Sequence, residues 1–138
     1  MCLIIKRIKH LTLKPKKAKK DIIAYKLLTP RPLLDDGLLS NDLYLTPFRH
    51  CIVNIKKPFI CNVFDTPHLY SNNKEYFINF GIHTYKNIRS IKKKYNISHI
   101  PKGSFAIFKC IIPEGTLYWV GKYGEYASER IEFVEQVY

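Results

Sequence analysis

The apolar and polar positions are most regular near the C-terminal end, where 105–133 reads FAIFKCIIPEGTLYWVGKYGEYASERIEF. Aromatic and β-branched residues fill 105–112, Pro113-Glu114-Gly115 supplies a turn, and 116–120 is apolar again. This predicts a hairpin within a β-meander. Gly121-Lys122-Tyr123-Gly124 is a second turn signal. Beyond it the chain alternates with period two, so that Ile131 and Phe133 share one face. Earlier, DIIAYKLL at 21–28 predicts a strand closed by Thr29-Pro30-Arg31-Pro32, because residues before proline avoid the helical region. DLYLT, CIVNI and FICNVF predict three more strands, and the periodicity of 75–80 does not choose between strand and helix. The opening 1–10 alternates loosely, as a short strand or an arm docking an apolar edge, and the polar stretch 65–74 predicts a mobile surface loop. One helix stands out: Asn87 is placed as N-cap before Ile88, Ile91 and Tyr95, which share a helical face. These elements predict an α+β fold, a single domain of mostly antiparallel β-sheet with one or two short helices.

Composition narrows this picture. At 138 residues the chain suits one domain with a real core. No apolar run approaches the roughly 20 residues of a spanning helix, and basic residues follow the short apolar opening rather than precede it, so a soluble, cytoplasmic protein is expected. Cys2, Cys51, Cys61 and Cys110 are scattered without a CxxC pair, which reads as reduced structural thiols.

The net charge of +12 is uneven. Residues 1–31 hold eight Lys and two Arg against one Asp, a balance of +9, which leaves +3 for the rest. Two units follow: a basic N-terminal arm over 1–20, with Lys14-Pro15-Lys16-Lys17-Ala18-Lys19-Lys20 breaking any regular element, and a domain over 21–138. Lys16, Lys17, Lys19 and Lys20, with Lys92 and Lys93 on the outer face of the helix, form a field that attracts phosphate. Solubility alone is the competing explanation of this charge.

Three constellations could carry chemistry. In Gly81-Ile82-His83-Thr84-Tyr85, the glycine permits close approach of a ligand, the imidazole can donate to a hydroxyl or phosphate, and the tyrosine offers a stacking face. Arg49 and His50 stand beside a proline corner, with Tyr25 and Lys26 in the preceding strand; arginine can fork onto a phosphate. In Gly124-Glu125-Tyr126-Ala127-Ser128 a carboxylate between turns and a strand could act as a base, while Ser128 has no evident triad partners. Asp35-Asp36-Gly37 reads as a solvated turn rather than a metal pair, and no metal site is expected. There is no Walker loop, dinucleotide GxGxxG, HExxH or paired CxxC, which sets those enzyme classes aside.

The MCL opening, the IIAYKLL strand, the G-x-H-[ST]-aromatic segment and the ending CIIPEGTLYWVGKYGEYAS together resemble a group of small proteins from bacteroidete and firmicute bacteria and their phages, which brings no established activity. A more distant likeness is to the ADP-ribosyltransferase fold, through the basic and aromatic first strand, GIHTYKNIRSIKKKY, and the late Glu-Tyr of GEYASERIEF. That resemblance implies a site for nicotinamide dinucleotide (NAD), with Glu125 as the activating glutamate and Tyr85 as the aromatic wall. The sequence departs from it where Tyr25-Lys26 replaces the His-Gly-[ST] or Arg signature.

The leading expectation is a protein that binds an anionic, nucleotide-like ligand or nucleic acid without transforming it and without a cofactor. The ligand would meet Tyr25, Arg49, His50, His83, Thr84, Tyr85 and Tyr126. The phage resemblance suggests an inhibitor of host defence. The alternatives are an ADP-ribosyltransferase-like enzyme using NAD and Glu125, and an interaction module docking an acidic host protein. No membrane partner is expected.

Overall fold

The structure, a computed structural model, describes residues 3–6, 14–30, 42–47, 51–61, 68–69, 75–101 and 103–138. The described strands are β1 (Leu3–Lys6), β2 (Lys16–Lys17), β3 (Ile22–Pro30), β4 (Leu43–Leu45), β5 (Ile52–Asn54), β6 (Phe59–Ile60), β7 (His68–Leu69), β8 (Glu75–Ile78), β9 (Ile82–Tyr85), β10 (Ala106–Ile112), β11 (Leu117–Val120), β12 (Glu125–Ser128) and β13 (Arg130–Gln136). One α-helix, α1 (Ile88–Tyr95), runs into a 3₁₀ turn at Ile97–His99. The expected α+β fold, mostly antiparallel sheet in one small domain, is observed. The main sheet runs β2-β11-β12-β9-β3-β10-β13-β6, with β4 attached to β3 and β5 to β4; β1-β8-β7 forms a second, three-stranded sheet. The period-two segments are strands because their alternate residues are claimed by opposite faces.

The central pair is β3 and β10, in unbroken register from Ala106↔Leu28 to Ile112↔Ile22. On one face Ala24, Leu28, Ala106, Phe108, Cys110 and Ile112 pack with Ile82, Val53 and Ile131. On the other, Leu27 and Ile107 pack with Tyr85 and with Ile91 of α1. A strand apolar on both faces belongs in the middle of a covered sheet.

That position corrects the expected hairpin. Both edges of β10 are occupied, by β3 and β13. The turn at Pro113-Glu114-Gly115 does form, closed by Thr116 N–H donating to Pro113 O at 3.1 Å, but it is a corner. The chain leaves β10 there and enters β11 beside β12 and β2. The second turn signal behaves as read: Gly124, at φ 75°, completes the β11–β12 hairpin.

Three further readings change. Lysine repulsion and Pro15 do not exclude regular structure from the basic segment, since Lys16–Lys17 pairs with β11 and Ala18 is buried; a very short edge strand starting after proline loses no ladder bond. Segment 75–80 resolves to a strand, β8, paired with β1. The stretch expected as a mobile loop contributes β7 to the same sheet.

Helix α1 forms as the sequence predicts. Asn87 is extended, and its Oδ1 accepts from Ser90 N–H at 2.8 Å and from Ser90 Oγ–H at 2.9 Å. Lys92, Lys93 and Lys94 occupy the last turn, where the helix dipole favours cations. Asn87→Ala is expected to cost about 1 kcal/mol. Urea denaturation should show it as a lower midpoint with an unchanged slope.

Candidate functional site

The strand that carries the His-Thr-Tyr segment, β9, lies between β12 and β3. With β12 it pairs over its whole length, but with β3 only at Tyr25↔Tyr85. Past that bridge the ladder stops and a side chain takes over: Lys26 Nζ donates to the His83 carbonyl at 2.8 Å. The His83 imidazole in turn places Nε2 3.0 Å from the Phe80 carbonyl, where it can only donate, so the neutral ring carries its proton there.

Lys26 shares its face of β3 with Ala24 and Leu28, and only 7% of its surface is exposed. Burial disfavours the ammonium and brings its pKa down to about 8, against the opposing pull of the Cys110, Cys51 and Cys61 thiols. His83 is held at about 4, by burial first and by the nearby Lys26 charge second. The Cys110 thiol is pushed up to about 12 by burial.

Both groups open onto a cavity of about 310 Å³, at the small end of the ligand-site range. Its polar wall is Lys26, Thr46, Asn79, His83 and Tyr95, and Cys51 and Cys61 bring two thiols. Pro47, Phe59, Ile60 and Ile82 supply the apolar part. Thr46 fixes one rim: its Oγ1 accepts from Cys51 N–H at 3.0 Å, and its own N–H donates to Cys51 O at 3.0 Å. Among the described residues the lining contains no carboxylate. Among the described residues, one of the three ammonium donors of Lys26 has a protein partner.

Behind the cavity stands a second polar group. The Tyr85 hydroxyl donates to that of Tyr95 at 3.3 Å, and Lys94 Nζ lies 5.8 Å from the centre of the Tyr85 ring. Lys94 forms a 2.7 Å ion pair with Glu125, which is 6% exposed. Burial, and then the neighbouring Tyr95, holds the Tyr85 phenol above its ordinary range. Glu125 thus stands within β12 as the counter-ion of a helix lysine, and it is not part of the cavity lining.

The residues singled out in the sequence are therefore distributed. His83 lines the cavity, while Tyr85 and Tyr25 are neighbours across β9 and β3. Thr84 is fully buried, and its hydroxyl, like that of Ser128, has no hydrogen-bond partner among the described residues. Tyr126 packs edge-on against Tyr118 at 6.0 Å, and burial raises its phenol pKa. Lys16, Lys17, Lys19 and Lys20 are exposed at the β2 edge, and Lys92 sits 5.1 Å over the Tyr138 ring. Arg49 and His50, and the Asp35-Asp36 turn, lie outside the described residues.

Thr46, Cys51, Cys61, Asn79 and Tyr95 were not singled out in the sequence, and Lys26 was placed beside Arg49 and His50 without being named a ligand contact. The signal of Lys26 was available: a lysine between Tyr25 and Leu27 in an otherwise apolar strand must be either buried or at an edge. Among the described residues no group of three or more His, Cys, Asp or Glu is arranged to hold a metal ion, and no helix is long and apolar enough to cross a membrane. No protein-family model, curated protein or solved structure matches the chain.

Proposed function

We propose that this chain is a non-catalytic binding protein for a small anionic, nucleotide-like ligand, whose acidic group pairs with the Lys26 ammonium in the cavity. The observation that carries this reading is a buried lysine with one described hydrogen-bond partner, facing a cavity whose described lining lacks a carboxylate. A buried charge without a counter-ion is costly, and such groups concentrate at functional sites. An entering phosphate or carboxylate supplies the missing charge and accepts the remaining ammonium protons. Tyr95 and Phe59 provide aromatic surface for a base or similar ring, and Asn79 can meet its polar edge. The positive charge concentrated in residues 1–31 adds long-range attraction for such a ligand. In a phage, holding a nucleotide signal out of solution is the role such binding would serve.

Thermal melts in the presence of linear and cyclic mononucleotides test this. At a hundred times Kd, binding is expected to add about 3 kcal/mol, or roughly 10 °C in Tm for a domain of this size. The ligand should be recovered intact, and the shift should vanish in Lys26→Met. An equal shift in that variant, or none with any anion, would overturn the reading. Release of nicotinamide from added dinucleotide would replace it with group transfer.

A further inference from the structure

We propose that the same cavity captures small aldehydes covalently, the Lys26 amine forming an imine and the thiol of Cys51 or Cys61 adding across it. This goes beyond anion binding and does not rest on it, because the imine needs the uncharged amine where the anion needs the ammonium. The argument begins with placement. Cys51 precedes β5 and Cys61 follows β6, and both line the cavity into which Lys26 opens. None of Cys51, Cys61 and Cys110 is in a disulfide.

Reactivity follows from burial. With a pKa of about 8, about a tenth of the Lys26 amines are neutral at pH 7. An ordinary surface lysine, near 10.4, is neutral in fewer than about one molecule in a thousand. A desolvated lysine in an apolar pocket is the form that makes Schiff bases with carbonyl compounds. Phe59 and the buried Ile82 give the cavity an apolar wall.

The step balances without an oxidant. The nitrogen lone pair bonds to the carbonyl carbon while the carbonyl π pair moves to oxygen, which takes a proton from the nitrogen. The resulting carbinolamine loses water to give C=N. Sulfur then bonds to that carbon, and its proton ends on nitrogen. Aldehyde, amine and thiol give an N,S-acetal and one water.

The experiment treats the full chain at pH 7 with butanal plus borohydride, which traps imines, and in parallel with o-phthalaldehyde, which fuses an amine and a neighbouring thiol into a fluorescent isoindole. Peptide mapping by mass spectrometry locates both products. The expected result is Lys26 trapped at least tenfold faster than any other lysine, and an isoindole joining Lys26 to Cys51 or Cys61. In the Cys51→Ser/Cys61→Ser double variant the isoindole should disappear while butanal trapping at Lys26 persists. Trapping spread over surface lysines with Lys26 unlabelled would overturn the proposal, as would an isoindole unchanged by the double substitution. Mapping on the unmodified chain decides the first point even if the variant does not fold. Because butanal is uncharged, flat nucleotide melts alongside selective Lys26 labelling would sink the anion reading alone.

Discussion

Lys26→Met is expected to stabilise the protein by about 2 kcal/mol at pH 7 while ending ligand binding. Folding lowers the Lys26 pKa from 10.5 to about 8. At about 1.4 kcal/mol per unit, the folded state therefore carries a penalty of about 3 kcal/mol for holding the ammonium. Methionine has a similar shape and no charge, so this penalty disappears. Against it stands the His83 carbonyl, which loses its donor at a cost of about 1 kcal/mol. The sign fixes the pH window. Above about pH 10.5 the lysine is neutral in both states and exacts nothing. Between 10.5 and about 8 the unfolded chain takes up a proton that the folded chain refuses, and below about 8 the penalty is complete. The advantage of Lys26→Met should therefore be full at pH 7 and shrink as pH rises from 8 toward 10. Urea titrations of both proteins at pH 7 and pH 10 measure it. A variant no more stable than the parent at pH 7 would mean that the amine is not buried as a charge. Stability gained with binding lost marks a residue retained for what it contacts rather than for folding.

The second large effect is expected in acid. His83 titrates at about 4 in the folded chain, against 6.5 for the free side chain, because burial and then the Lys26 charge oppose the imidazolium. Its contribution is fully present above pH 6.5. As pH falls toward 4 the unfolded chain binds a proton that the folded one does not, and about 3 kcal/mol is lost. In thermal unfolding this is an expected fall of roughly 10 °C in Tm. His83→Gln keeps an N–H for the Phe80 carbonyl and does not titrate, so the difference between the two proteins should grow over that interval and stop near pH 4. A parallel pH course in both would show that carboxylates, not this ring, set the acid limit.

Local features of the fold were legible in the sequence. Asn87 and the spacing of Ile88, Ile91 and Tyr95 depend on neighbours within two turns, and they yield α1 as read. The strands β3, β10 and β13 announce themselves by β-branched and aromatic residues. What could not be read is partnership. Nothing local says that β10 pairs with β3 instead of β11, since that choice depends on which strands flank it after collapse. The cavity is similarly hidden, because Lys26, Thr46, Cys61, His83 and Tyr95 come from separate segments and meet only through the sheet. Glu125 looked like a loop carboxylate open to chemistry, and its lysine partner lies a helix away. The local clues were the Gly81-Ile82-His83 segment and Lys26, a charge in a strand where each flanking position is apolar or aromatic.

The main sheet begins and ends in strands of two residues, β2 and β6. At β2 that edge strand offers an incoming chain only a couple of peptide groups, carried by the exposed lysines at 16 and 17. An edge so short and so charged is a poor template for cross-β growth. There, part of the cationic surplus works against strand-to-strand pairing with the chain's own copies.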